Sequence, residues 1–174
     1  MTVVVANTDA MPGLAELIAE RHRLGHDRYD EVWEGVYHVA ALARFGHGYL
    51  QAQLVAKLTT LALPRGLFVG GPANIGLSEH DHRIPDLVVV RAPIDVVWVP
   101  TAAVVGEVVS PGDETYAKFD FYHAHHVDEI LVADPAERAV TLYQRATGRY
   151  DSTDRSEVLG VEVSALAASL IWPS

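Results

Sequence analysis

Two valine-rich runs near mid-chain, each carrying one carboxylate, narrow what this sequence can fold into. Pro85-Asp86 opens Leu87-Val88-Val89-Val90, and Glu107 lies inside Val104-Val105-Gly106-Glu107-Val108-Val109, which closes on Ser110-Pro111. Short β-branched runs bounded by Pro or Gly read as strands of a largely buried sheet. A carboxylate buried alone on such a strand loses its water and gains no counter-charge. Asp86 and Glu107, followed by Lys118 on the next expected helix, therefore point to a shared partner. A divalent cation is the simplest one, because hard carboxylate oxygens suit Mg²⁺ or Mn²⁺. A purely structural reading stands beside it, with Asp86 an exposed residue at a strand start and Glu107–Lys118 an ion pair without chemistry.

The rest of the chain bounds this reading. Its 174 residues are enough for one domain with a real core, and a hydrophobic share of 49% argues against disorder. Without cysteine there is neither a disulfide framework nor a thiolate metal site. No apolar run approaches the roughly 20 residues of a membrane span, and the N-terminus lacks a basic leader, so a cytoplasmic protein is expected. A net charge of −10, with thirteen scattered Lys and Arg, argues against strong nonspecific DNA affinity.

Periodicity gives an α+β (α/β) domain over residues 11–174, a mixed sheet flanked by helices, with residues 1–10 as a mobile tail. Leu14, Leu17 and Ile18 mark a helix that stops at Gly25. Tyr29 to His38 reads as a hairpin turning at Glu34-Gly35. Leu50, Leu54, Leu58 and Leu61 mark a helix over residues 48–62 closed by Pro64, and short strands follow at 67–69 and 74–77. A helix is expected from Thr115 to Ala124, then paired strands at 129–133 and 139–143, then a short helix over residues 163–172.

Several chemistries are disfavoured. Ser110 lacks a nucleophile elbow, and no Gly-rich strand-to-helix phosphate loop is present. His80-Asp81-His82, the run His123-Ala124-His125-His126, and the spaced pair His22 and His26 are candidate Zn²⁺ ligands, but none forms an H-E-x-x-H arrangement.

Taken in order, Tyr29-Asp30-Glu31-Val32-Trp33-Glu34-Gly35, His47, Ile84-Pro85-Asp86, Gly106-Glu107-Val108-Val109-Ser110-Pro111, Lys118 through Tyr122 and Val127 through Pro135 resemble the Uma2 family of the restriction-endonuclease-like, PD-(D/E)xK class. The chain departs from that pattern at three places. Val109 stands where the generic motif has its lysine, so Lys118 would serve from the helix. His126 replaces a glycine, and Val36 an acid.

The resemblance implies a restriction-endonuclease-like fold and metal-dependent cleavage of a phosphodiester bond in nucleic acid, with DNA the expected substrate. Asp86, Glu107 and the Val108 carbonyl would hold Mg²⁺ or Mn²⁺, and Lys118 would act on the phosphate. Glu31 would complete the metal shell, His47 would meet substrate or orient a carboxylate, and Tyr122 would position Lys118 from one helical turn away, beside the plain readings of a solvent-facing strand acid, a helix-start histidine without chemistry and a core tyrosine. A homodimer is implied as well, since cutting two strands favours paired sites. The alternative is a non-catalytic binding or assembly module of the same fold, favoured by the acidic charge and by Val109.

Overall fold

The computed structural model describes residues 3–5, 13–40, 43–112 and 114–173. In chain order the elements are β1 Val3–Val5, α1 Leu14–Leu24, β2 Glu31–Trp33, β3 Val36–Val39, α2 Phe45–Ala62, β4 Phe68–Gly70, β5 Asn74–Ser78, β6 Asp81–Arg83, β7 Leu87–Val90, β8 Trp98–Val99 and β9 Val104–Val108. There follow α3 Phe119–Ala124, β10 Glu129–Asp134, β11 Ala139–Ala146, β12 Arg149–Thr153, β13 Arg155–Ser156, β14 Val161–Glu162 and α4 Val163–Ala168. The expected mixed sheet resolves into two six-stranded sheets, ordered β1-β3-β2-β6-β5-β8 and β12-β11-β10-β9-β7-β4, plus the ribbon β13-β14. No helix among the described residues is long and apolar enough to cross a membrane.

The second sheet is the platform for the carboxylates. On one face, Leu50, Leu54 and Leu58 of α2 pack on Leu87, Val89, Val104 and Val108. On the other, Val88, Val105, Ile130 and Val132 pack with Tyr122 of α3 and with Ile75 and Val99 of the first sheet. Both faces are dry, so the strands are apolar runs and do not alternate. β7 and β9 are antiparallel, with Leu87 opposite Gly106 and Val88 opposite Val105. One step further this register sets Asp86 opposite Glu107, on the face that meets α3.

That register depends on Gly106. A Cβ there would lie 2.7 Å from Cγ and 2.8 Å from Cδ1 of Leu87, which is itself fully buried. Gly106→Ala is therefore expected to cost about 1–3 kcal/mol through overpacking. Urea melts should show the loss, and Leu87→Ala in the same chain should recover part of it. Additive losses in the double variant would contradict this contact.

Several expected boundaries move. Within the stretch expected as a tail, Val3–Val5 pairs with β3, as three consecutive valines favour a strand; residues 1–2 and 6–12 lie outside the described residues. The strands expected at residues 67–69 and 74–77 form as β4 and β5, β4 pairing with β7 and β5 with β6 and β8. The segment Thr115–Lys118 is a 3-10 turn leading into α3. α4 ends at Ala168, where the Ser169 hydroxyl donates to the Leu166 carbonyl and tightens the last turn. The hairpin turn falls at Glu34 (φ 50°) and Gly35 (φ 83°), as its sequence requires.

Candidate active site

Four charged side chains from four segments meet at one end of β7 and β9. Asp86 sits just before β7, Glu107 lies within β9, Glu31 starts β2 and Lys118 ends the 3-10 turn. All four line one cleft of about 780 Å³, together with His47, Ser110, Glu114 and Arg44. Lys118 Nζ lies 2.9 Å from Glu31 Oε1 and 3.2 Å from Glu107 Oε1.

Each carboxylate is held from more than one side. Asp86 Oδ2 accepts from the Val108 N–H at 2.7 Å, and Asp86 Oδ1 meets His47 Nε2 at 2.9 Å. His47 Nδ1 in turn meets Ser110 Oγ at 3.1 Å. The structure thus sets His47 against a carboxylate, one of the two places its sequence position allowed. Glu31 Oε1 accepts from the Ile84 N–H and Glu31 Oε2 from the Trp33 indole, at 2.7 and 2.6 Å. Glu31 is buried, unlike an ordinary solvent-facing strand acid.

Tyr122 is a core residue with a polar tip in the site. Its hydroxyl donates to Glu107 Oε1 at 2.6 Å, the same oxygen that Lys118 approaches, so the tyrosine fixes the glutamate. Full burial of Tyr122 among Val105, Ile130 and Val132 fixes its direction. Burial, with the Glu107 and Glu31 charges adding to it, holds the Tyr122 phenol well above its ordinary pKa, so it remains a donor.

The electrostatics follow from burial. Loss of water, against the pull of Lys118 and with the Asp86 and Glu31 charges adding to it, raises the Glu107 carboxyl to about 8. The mutual repulsion of carboxylates is real but smaller than desolvation here. Burial by itself would lower Lys118, yet the Glu107 and Glu31 carboxylates outweigh it and hold the ammonium above its ordinary value. Three acids thus surround one cation, and the cluster is short of positive charge.

That shortage, and the hard oxygen donors, fit a divalent cation. Asp86 and Glu107 would supply carboxylate oxygens. The Val108 N–H points at Asp86, and in an extended strand the carbonyl of the same residue points to the same side. Among the described residues no three His, Asp or Glu side chains already stand as a metal shell. The carboxylates are instead engaged by Lys118, His47 and Tyr122 and would have to exchange partners.

The histidine clusters do not assemble. His82 is buried against the Asp30 carbonyl, His123 meets the Ala146 carbonyl, and His125 meets that of Pro100. His22 pairs with Asp27, and Gly25 ends α1 before His26.

Other contacts were not anticipated. Gln51 donates to the Asp86 carbonyl at 2.6 Å, and its signal was its position four residues after His47 on one helix face. Trp33 was findable as the same-face neighbour of Glu31, two residues on in one strand. Asp30 is a buried hub accepting from Arg21, Tyr37 and the Ala40 N–H.

Over residues 19–169 the sequence matches the family model Uma2, described as "Putative restriction endonuclease". The chain belongs to the Uma2 family. Its structure is similar to the crystal structure titled as a putative nuclease belonging to DUF820 from Anabaena variabilis ATCC 29413, with a TM-score of 0.65 and 14% sequence identity over 80% of this chain and 89% of that one. At that identity the likeness shows the Uma2 fold and nothing finer. No curated protein matches the sequence.

Proposed function

We propose that this Uma2 protein is a metal-dependent endonuclease that hydrolyses phosphodiester bonds in nucleic acid, DNA being the expected substrate. The observation that carries the reading is the meeting of Asp86, Glu107, Glu31 and Lys118 in one cleft, with the lysine charge held by its neighbours. Val109 leaves the usual lysine position empty, and Lys118 brings an ammonium to the same carboxylate from another element.

Mg²⁺ or Mn²⁺ held by Asp86, Glu107 and the Val108 carbonyl would supply Lewis acidity to the phosphate and to the attacking water. The protein's own groups do the rest. His47 and the Val108 N–H fix both oxygens of Asp86, so its orientation is set before substrate arrives. Tyr122 fixes Glu107 in the same way. As the water oxygen bonds to phosphorus and the bond to the leaving sugar oxygen breaks, charge builds on the phosphoryl oxygens. Lys118, charged throughout the neutral range, is the group to stabilise it.

The test is incubation of plasmid and oligonucleotide DNA with Mg²⁺ or Mn²⁺ and, in parallel, with chelator. Cleavage is expected with the metals and none with chelator, and Asp86→Ala should abolish both cleavage and the thermal stabilisation by Mn²⁺. A folded wild type stabilised by Mn²⁺ that cuts neither DNA nor RNA would put the binding-module reading first.

A further inference from the structure

The proposed cleavage site lies in a cleft whose other residues bear on the form of nucleic acid it takes. About 780 Å³ falls in the range of pockets that enclose small ligands, roughly 300–1,000 Å³. That is room for a nucleotide, and enzymes that act on a base receive it unpaired or extruded in such a pocket.

Charge points the same way. Duplex DNA carries about one negative charge per 1.7 Å of axis and is held by many unspent cations along its track. Here Arg21, Arg23, Arg83, Arg91, Lys118, Arg149 and Arg155 are each already paired with a carboxylate, more than half of the thirteen Lys and Arg. Two cations line the cleft. Lys118 is committed to Glu31 and Glu107, whereas Arg44 has no acidic partner among the described residues and is exposed.

Tyr29 supplies what charge does not. It lines the same cleft, is 53% exposed, and has no ring contact or hydrogen bond among the described residues. Trp33 is unavailable, since His38 stacks on it at 4.2 Å and Arg83 sits 4.4 Å from its ring centroid. Tyr29 therefore presents the open aromatic face. Single strands are bound in this way, by bases stacked on aromatic rings beside a few phosphate contacts.

Resting on the nuclease reading, we propose that the substrate is an unpaired nucleic-acid strand, with a base stacked on Tyr29 and an adjoining phosphate on Arg44, and not a continuous duplex.

The full-length chain is titrated with fluorescein-labelled single-stranded DNA, single-stranded RNA and blunt duplex DNA of one sequence, and each is tested for cleavage with Mn²⁺. At least one single strand should bind about tenfold tighter than the duplex, the value of one base stack, and should be cut faster. Preference for the DNA or the RNA strand says which of the two the cleft receives. Tyr29→Ala should weaken single-strand binding about tenfold and Tyr29→Phe should not. Arg44→Ala should weaken it too and lower the salt slope by about 0.7, one phosphate on a single strand. Both positions are exposed, so unchanged melting temperatures are expected to certify the fold. Blunt duplex bound and cut as well as either strand, or unaltered affinity in Tyr29→Ala, would overturn the inference and leave the nuclease reading intact. Absence of cleavage on all three substrates with Mn²⁺ would remove the nuclease reading and this inference with it.

Discussion

Lys118→Met is expected to cut the proposed cleavage rate by about 10²–10³-fold, the usual effect of removing one group that stabilises transition-state charge. The same change should be felt in the resting protein. Half-buried Lys118 lies 2.9 Å from Glu31 and 3.2 Å from Glu107, both buried, so its loss leaves two carboxylates without their cation. Breaking a buried pair from one side typically costs about 3–5 kcal/mol. With chelator present, Lys118→Met should therefore melt well below wild type. Mn²⁺ should then stabilise the variant more than it stabilises wild type, because the ion restores the missing positive charge as well as filling its own site. Differential scanning with and without Mn²⁺ reads this directly. Equal Mn²⁺ shifts in the two proteins would mean that the ion and the lysine do not share carboxylates. A variant with wild-type turnover would move the phosphate contact elsewhere, with Arg44 the next cation in the cleft.

What could be read from the sequence, and what could not, divides by range. The runs Leu87–Val90 and Val104–Val108 are legible because both faces of their sheet are dry, and β-branched residues between Pro or Gly then have few other uses. Their pairing sets Asp86 opposite Glu107 by register alone. α2 is legible from the spacing of Leu50, Leu54 and Leu58, and the hairpin from Glu34-Gly35. The partners of each side chain are another matter. That the Ile84 N–H clamps Glu31, that Tyr122 meets Glu107, and that Asp30 ties α1 to the hairpin are facts of tertiary placement with no local pattern. The short strands β6, β8, β13 and β14 exist by pairing, with two or three residues each and no periodicity to read. β4 and β5, close in sequence and parted by Gly71-Pro72-Ala73, join different sheets, a choice made by the partners that cover them.

Glu107→Gln should abolish the proposed cleavage, since it removes an anionic ligand with little change in shape, yet it should stabilise the metal-free fold in a pH-dependent way. Glu107 is 4% exposed, and burial first, then the Asp86 and Glu31 charges against the pull of Lys118, raises its carboxyl from the ordinary 4.5 to about 8. The sign follows from proton counting. Below pH 4.5 the side chain is protonated whether folded or unfolded, and wild type and variant are alike in this respect. Between about 4.5 and 8 the unfolded chain has released the proton and the folded one keeps it, so wild-type stability falls as pH rises. Above about 8 both states are ionised and the loss stops growing. The limiting slope is about 1.4 kcal/mol per pH unit, and exchange of charge with Lys118 makes the observed slope shallower. Glutamine has no proton to release, so its advantage over wild type should widen across that window and then level off. Urea melts of both proteins in chelator at pH values spanning the window measure the difference, in which the other titrating groups cancel. Parallel stability curves would show that Glu107 is ionised at neutral pH, with Lys118 and Tyr122 sufficient to hold its charge without a metal.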